Sequence, residues 1–124
     1  MDKMTDVELQ IMDCVWSMDS PISPTGVLGV LNERYDRNWA LQTLCTYLFR
    51  MAGKGYLKYQ RKGRMALYTP IITRQDYFEY LAMDMSHFWG KGVLKGMAAA
   101  LYKNNALPQE DVDELRAYLN EIEK

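Results

Sequence analysis

A chain of 124 residues, 48% hydrophobic and 25% charged, is long enough for one domain or two small ones with a packed core, which excludes a disordered or low-complexity protein. The opening MDKMTDVELQ lacks the apolar segment of a secretory signal. No run approaches the roughly 18 apolar residues of a membrane span, so the expectation is a cytoplasmic protein without membrane insertion. The net charge of −1 conceals an asymmetry: residues 34–64 carry eight bases and one acid, whereas residues 75–124 carry five bases and nine acids. A basic lobe on an otherwise acidic chain is the electrostatic footprint of a polyanionic partner.

Thr5-Asp6-Val7-Glu8 has the form of a capping box and opens a first helix, with Leu9, Met12, Val15 and Trp16 as its buried stripe. Asp19-Ser20-Pro21 ends it, and Ile22 is a short extended residue between two prolines. Ser23-Pro24 starts a second helix, serine as N-cap and proline at the first helical position, with Val27, Leu28 and Leu31 facing inward. After a polar turn from Asn32 to Asn38, the stretch Trp39–Gly55 reads as one helix. Leu44, Tyr47, Leu48 and Met51 make its apolar face; Gln42, Thr46, Phe49 and Arg50 lie opposite, flanked by Thr43 and Cys45. Gly53 and Gly55 stop it.

Two strand-like runs follow, Tyr56–Gln60 and Met65–Thr69, joined by the basic turn Arg61-Lys62-Gly63-Arg64. The order helix, short strand, helix, turn, helix, hairpin is that of a winged helix-turn-helix. After Pro70 the character changes to three amphipathic helices. The first carries Tyr77, Phe78, Leu81, Met85 and Phe88, the second Leu94, Met97, Ala98 and Leu101, and the third Val112, Leu115, Leu119 and Ile122. About 50 residues in three helices cannot bury all these faces alone. The expectation is a winged-helix domain over residues 1–72 and a helical dimerisation domain over 73–124. Its interface residues would be Tyr77, Leu81, Met85, Phe88, Leu94, Met97, Leu101, Val112, Leu115, Leu119 and Ile122.

Enzyme chemistry finds no support in these residues. His87 is the single histidine and sits among apolar neighbours; no phosphate loop, nucleophile elbow or metal-ligand spacing occurs, so no catalytic residue, cofactor or metal is assigned. Cys14 and Cys45 read as reduced thiols. Two other readings compete: a winged helix used only for protein contacts, which would have no DNA affinity even at low salt, and a thiol-responsive regulator acting through Cys45.

The chain resembles the penicillinase- and methicillin-resistance repressor family, which also contains copper-transport repressors. The resemblance is carried by Thr5–Met12 with Val15-Trp16; by Trp39, Thr43 and Thr46; and by Lys54–Leu57, Gly63-Arg64 and Leu67–Pro70. Ile72–Tyr77 and Leu107–Leu115 complete it, nearly end to end. It implies a homodimeric repressor whose winged helix binds a palindromic operator, commonly that of a β-lactamase or resistance operon. It also implies relief of repression by a membrane sensor-protease system. The chain departs from the family pattern at Ala40, where relatives carry serine and where Asn38 would have to supply the cap. Cys45 and Phe49 stand in place of polar residues. The stretch matching the family's cleavage point, Ala100-Leu101-Tyr102, lacks the asparagine–aromatic pair, and the absence of cysteine after Cys45 removes the copper motif.

With the central helix in a major groove, Gln42, Cys45, Thr46 and Phe49 would read base edges. Trp39, Thr43, Arg50, Lys54, Arg61, Lys62 and Arg64 would hold phosphates of the double-stranded operator.

Overall fold

The computed structural model describes residues 2–123. Its elements are α1 (Asp6–Trp16), α2 (Pro24–Arg34), α3 (Leu41–Gly53), β1 (Leu57–Lys62), β2 (Met65–Pro70), α4 (Arg74–Trp89), α5 (Val93–Lys103) and α6 (Gln109–Ile122). The molecule is mainly helical with one antiparallel hairpin, and it divides into two compact units, residues 1–81 and 82–124.

In the first unit the capping signals act as the sequence predicts. Glu8 N donates to Thr5 Oγ1 at 3.2 Å and Thr5 N donates to Glu8 Oε1 at 2.9 Å, so α1 opens on a reciprocal capping box. Ser23 Oγ accepts from Gly26 N at 3.2 Å at the head of α2. The same reciprocal arrangement recurs at α4, where Thr73 and Asp76 exchange bonds of 2.9 and 3.0 Å.

The entry to α3 differs from expectation. The helix begins at Leu41, its N-cap is Ala40, and neither Ala40 nor Asn38 provides a side-chain cap. Asn32 does a related job one element earlier: its Oδ1 accepts from Trp39 N at 3.0 Å and its Nδ2 donates to Trp39 O at 3.3 Å. An amide can make both bonds at once, so the end of α2 fixes the backbone leading into α3.

The hairpin is in register from Leu57 opposite Pro70 to Lys62 opposite Met65. Gly63 closes it at φ +63°, where a side chain would be strained. Ile22, the lone extended residue, adds a bridge to Tyr68, with bonds of 2.8 and 2.9 Å in both directions. This ties the segment between α1 and α2 to the sheet.

The core gathers Ile11, Met12 and Val15 of α1, Val27 and Leu31 of α2, and Leu44, Leu48 and Met51 of α3 against Tyr56, Leu57 and Tyr68. Tyr77 belongs to the same core. Only 2% of it is exposed, and its hydroxyl accepts from Met4 N at 2.8 Å. Although grouped by its spacing with the interface residues, it is spent inside its own unit. The first turns of α4 therefore pack with the winged helix, and the compact unit runs on to Leu81, past the change of composition at Pro70.

In the second unit neither α5 nor α6 has a buried residue. Phe88, Trp89, Leu94, Met97, Leu101, Leu115, Leu119 and Ile122 are all exposed. Among the described residues no helix is long and apolar enough to cross a membrane.

Candidate nucleic-acid interface

The amphipathic spacing of α3 sends Leu44, Leu48 and Met51 into the core and leaves Gln42, Thr43, Thr46, Phe49 and Arg50 exposed, with Cys45 half-buried between the two faces. Thr46 Oγ1 donates to Gln42 O at 3.0 Å. That bond fixes the rotamer of the hydroxyl and leaves its lone pairs facing out.

Gln42, Cys45, Thr46 and Phe49 share one shallow depression with Tyr68 of β2, so the four residues assigned to base reading lie together. Phe49 is 66% exposed, and its ring meets Tyr59 edge-on at 6.2 Å; Tyr59 in turn meets Tyr68 at 5.5 Å. This aromatic chain joins the exposed side of α3 to the hairpin. Tyr59 escapes sequence reasoning, because alternation along a strand does not reveal which helix the strand approaches.

The wing presents Lys58, Arg61, Lys62 and Arg64, all exposed. Arg61 Nε donates to Gly63 O at 3.1 Å, which anchors that side chain to the turn. Among the described residues no carboxylate pairs with Arg50, Lys58, Arg61, Lys62 or Arg64, so their charge is open to solvent and to a polyanion.

Two bases of the same cluster are already engaged. Arg34 pairs with Asp13 at 3.0 Å. Lys54, expected at a phosphate, places its Nζ 2.7 Å from Oε2 of the buried Glu8. Burial pushes the Glu8 carboxyl up, but the hydrogen bonds from Lys54 and Thr5 outweigh it and hold the group below its ordinary value. Lys54 thus serves first as the counterion that allows Glu8 to cap α1 from inside the fold.

Asp13 gathers a second set of partners. It accepts from the Tyr35 hydroxyl, from Arg34 and, at 3.0 Å, from Arg74. The Tyr35 bond, with Arg74 and Arg34 behind it, holds the Asp13 carboxyl low despite partial burial, and the same bond pushes the Tyr35 hydroxyl up to about 12.

Trp39, also expected at a phosphate, stacks on Tyr47 at 5.1 Å with 23° between the ring planes. Its ring is half-buried, and its stacking on Tyr47 holds it beside the start of α3. The exposed side chains of the site are the polar Gln42, Thr43 and Thr46, the apolar ring of Phe49, and the cations of α3 and the wing. No group of three or more His, Cys, Asp or Glu side chains with the geometry of a metal site occurs among the described residues.

Residues 4–121 match the family model of the penicillinase repressor. The penicillinase repressor of Bacillus licheniformis is 30% identical over 119 residues, which cover 96% of this chain and 91% of that one. An uncharacterized 16.5 kDa protein of Latilactobacillus sakei is 28% identical over 120 residues, covering 95% and 79% of the two chains. Among solved structures, that of the DNA-binding domain of the repressor BlaI superposes with a TM-score of 0.50 at 34% identity, covering 62% of this chain and 94% of that one. The winged helix is therefore shared with a repressor's DNA-binding domain, and the family is one of repressors rather than enzymes. The chain belongs to the penicillinase repressor family.

Proposed function

We propose that this protein is a cytoplasmic transcriptional repressor that binds a palindromic operator as a homodimer and controls a β-lactamase-type resistance operon or a related one. The observation that carries the reading is the juxtaposition on one unit of an exposed polar face of α3 and a basic hairpin whose cations have no acidic partner among the described residues. Gln42 offers a donor and an acceptor to an adenine edge, and Thr46 a hydroxyl and a methyl. Phe49 offers an apolar face to thymine methyls. Thr43, Arg50, Arg61, Lys62 and Arg64 position the helix by phosphate contacts.

The exposed apolar stripes of residues 82–123 support the homodimer, because a second copy is the simplest surface to cover them. Two copies would set their α3 helices about one DNA turn apart, roughly 34–36 Å. Relief by proteolysis through a membrane sensor-protease system rests on family membership alone.

The test separates reading from positioning. Gln42→Ala should lose preference for the native operator while binding mixed-sequence DNA as before; Arg64→Ala should weaken both alike. Equal loss on both DNAs for Gln42→Ala contradicts its role in base reading.

A further inference from the structure

Resting on the DNA-binding reading above, we infer that Arg37 is a phosphate-binding residue, fixed at the entry to α3 by Gln10 and by the face of Trp39. It stands at the head of a cation–aromatic row made of Arg37, Trp39, Tyr47 and Arg50.

The row is continuous. The Arg37 guanidinium lies over the Trp39 ring at 5.1 Å, Trp39 stacks on Tyr47 at 5.1 Å, and the Arg50 guanidinium lies over Tyr47 at 5.5 Å. Tyr47 and Arg50 follow Thr43 at helical spacing, so the row runs along one stripe of α3. The neighbouring stripe, with Phe49, meets the wing through Tyr59.

Arg37 is braced at a second point. Its Nε donates to Gln10 Oε1 of α1 at 2.7 Å, and its backbone N–H donates to Asn32 O at 3.0 Å. Among the described residues no carboxylate pairs with it, and no bond occupies its two terminal amino groups. A planar cation held at its Nε and by a ring, with both terminal amino groups free of other bonds, is the arrangement that binds a phosphate oxygen pair with little ordering cost.

The placement also answers a geometric need. A helix in the major groove runs between two phosphate strands. The wing cations approach from the Phe49 side, and Arg37 and Arg50 supply positive charge along the other stripe. A single basic residue two positions before a tryptophan has no sequence signature. The brace to Gln10 spans 27 residues and becomes visible only in the fold.

The experiment measures binding of the full chain by fluorescence anisotropy over a salt series. It uses one labelled duplex from upstream of the protein's own gene and one of mixed sequence, with thermal melting as a check on folding. Arg37→Gln should weaken both duplexes by the same factor, about tenfold or more. It should also flatten the salt dependence by about 0.9 per protomer in the log–log slope. Arg37→Lys should keep the slope yet bind a few-fold more weakly, because lysine loses the fork and the stack. Gln10→Ala should behave like Arg37→Lys, since the charge remains and the brace is gone. An Arg37→Gln protein with the wild-type slope overturns the inference, whatever its melting temperature, because a purely structural brace would move stability and leave the slope alone. A wild-type protein that binds neither duplex at low salt overturns the DNA-binding reading, and the inference with it.

Discussion

Replacing Lys54 by alanine isolates the buried carboxylate that it serves. In the wild type, Glu8 Oε2 lies 2.7 Å from Lys54 Nζ, and the Glu8 side chain is 3% exposed. The variant keeps the Thr5 N–H on Oε1 at 2.9 Å but strands the charge. Breaking a fully buried pair costs about 3–5 kcal/mol. The Lys54 side chain, however, is 38% exposed, so water can enter where it stood. The other escape is protonation. For a carboxyl whose ordinary value is 4.5, this costs about 3.4 kcal/mol at pH 7 and only about 0.7 kcal/mol at pH 5.

The expected loss of stability is therefore about 2–3 kcal/mol at pH 7 and under about 1 kcal/mol at pH 5. The sign follows from the two states of the site. In the wild type the Glu8 pKa is lowered, so the pair stabilises the fold above 4.5 and its contribution is lost as pH falls through the folded value. In the variant the carboxyl is burdened rather than favoured, and acid relieves it. Urea unfolding followed by tryptophan fluorescence reads the first unit through Trp16 and Trp39, and the midpoint at pH 7 should fall by on the order of 1 M. A destabilisation equal at both pH values, or below about 0.5 kcal/mol at pH 7, refutes the reasoning. Because its charge is engaged by Glu8, Lys54→Ala should also flatten the salt dependence of DNA binding less than Arg64→Ala does.

Other outcomes follow from the packing. Leu48→Ala, at a site with no exposure, should cost about 2–5 kcal/mol in the same urea assay. Tyr77→Phe removes the acceptor of Met4 N and should cost about 1 kcal/mol. Leu101→Asp, on the exposed stripe of α5, should convert a dimer to a monomer in sedimentation while leaving the near-ultraviolet signal of the winged helix unchanged.

Much of this fold is written locally. Thr5-Asp6-Val7-Glu8, Ser23-Pro24 and Thr73–Asp76 each close their caps within three residues, and Gly63 marks the hairpin turn by itself. The exposed face of α3 is equally legible, since helical spacing separates Leu44, Leu48 and Met51 from Gln42, Thr46 and Phe49. What the sequence hides are partners far apart along the chain. Lys54 meets Glu8 across 46 residues and Arg74 meets Asp13 across 61. That the amino group of a basic residue beside α3 is already engaged by a carboxylate is visible only in the fold. Tyr77 is hidden for a related reason: the apolar period of a helix gives its buried side but not whether that side faces its own domain or another chain. The start of α3 misleads because the backbone of Trp39 is held by Asn32, a residue of the preceding helix, and not by a cap beside Ala40.

The most direct test of the central claim is binding of the full chain to labelled DNA from upstream of its own gene and to a scrambled duplex, at two salt concentrations, with the stoichiometry measured. A dimeric operator-binding repressor should prefer the native duplex, place two protomers on each site, and lose affinity steeply with salt. Weak binding that treats both duplexes alike, or none at low salt, would contradict that claim.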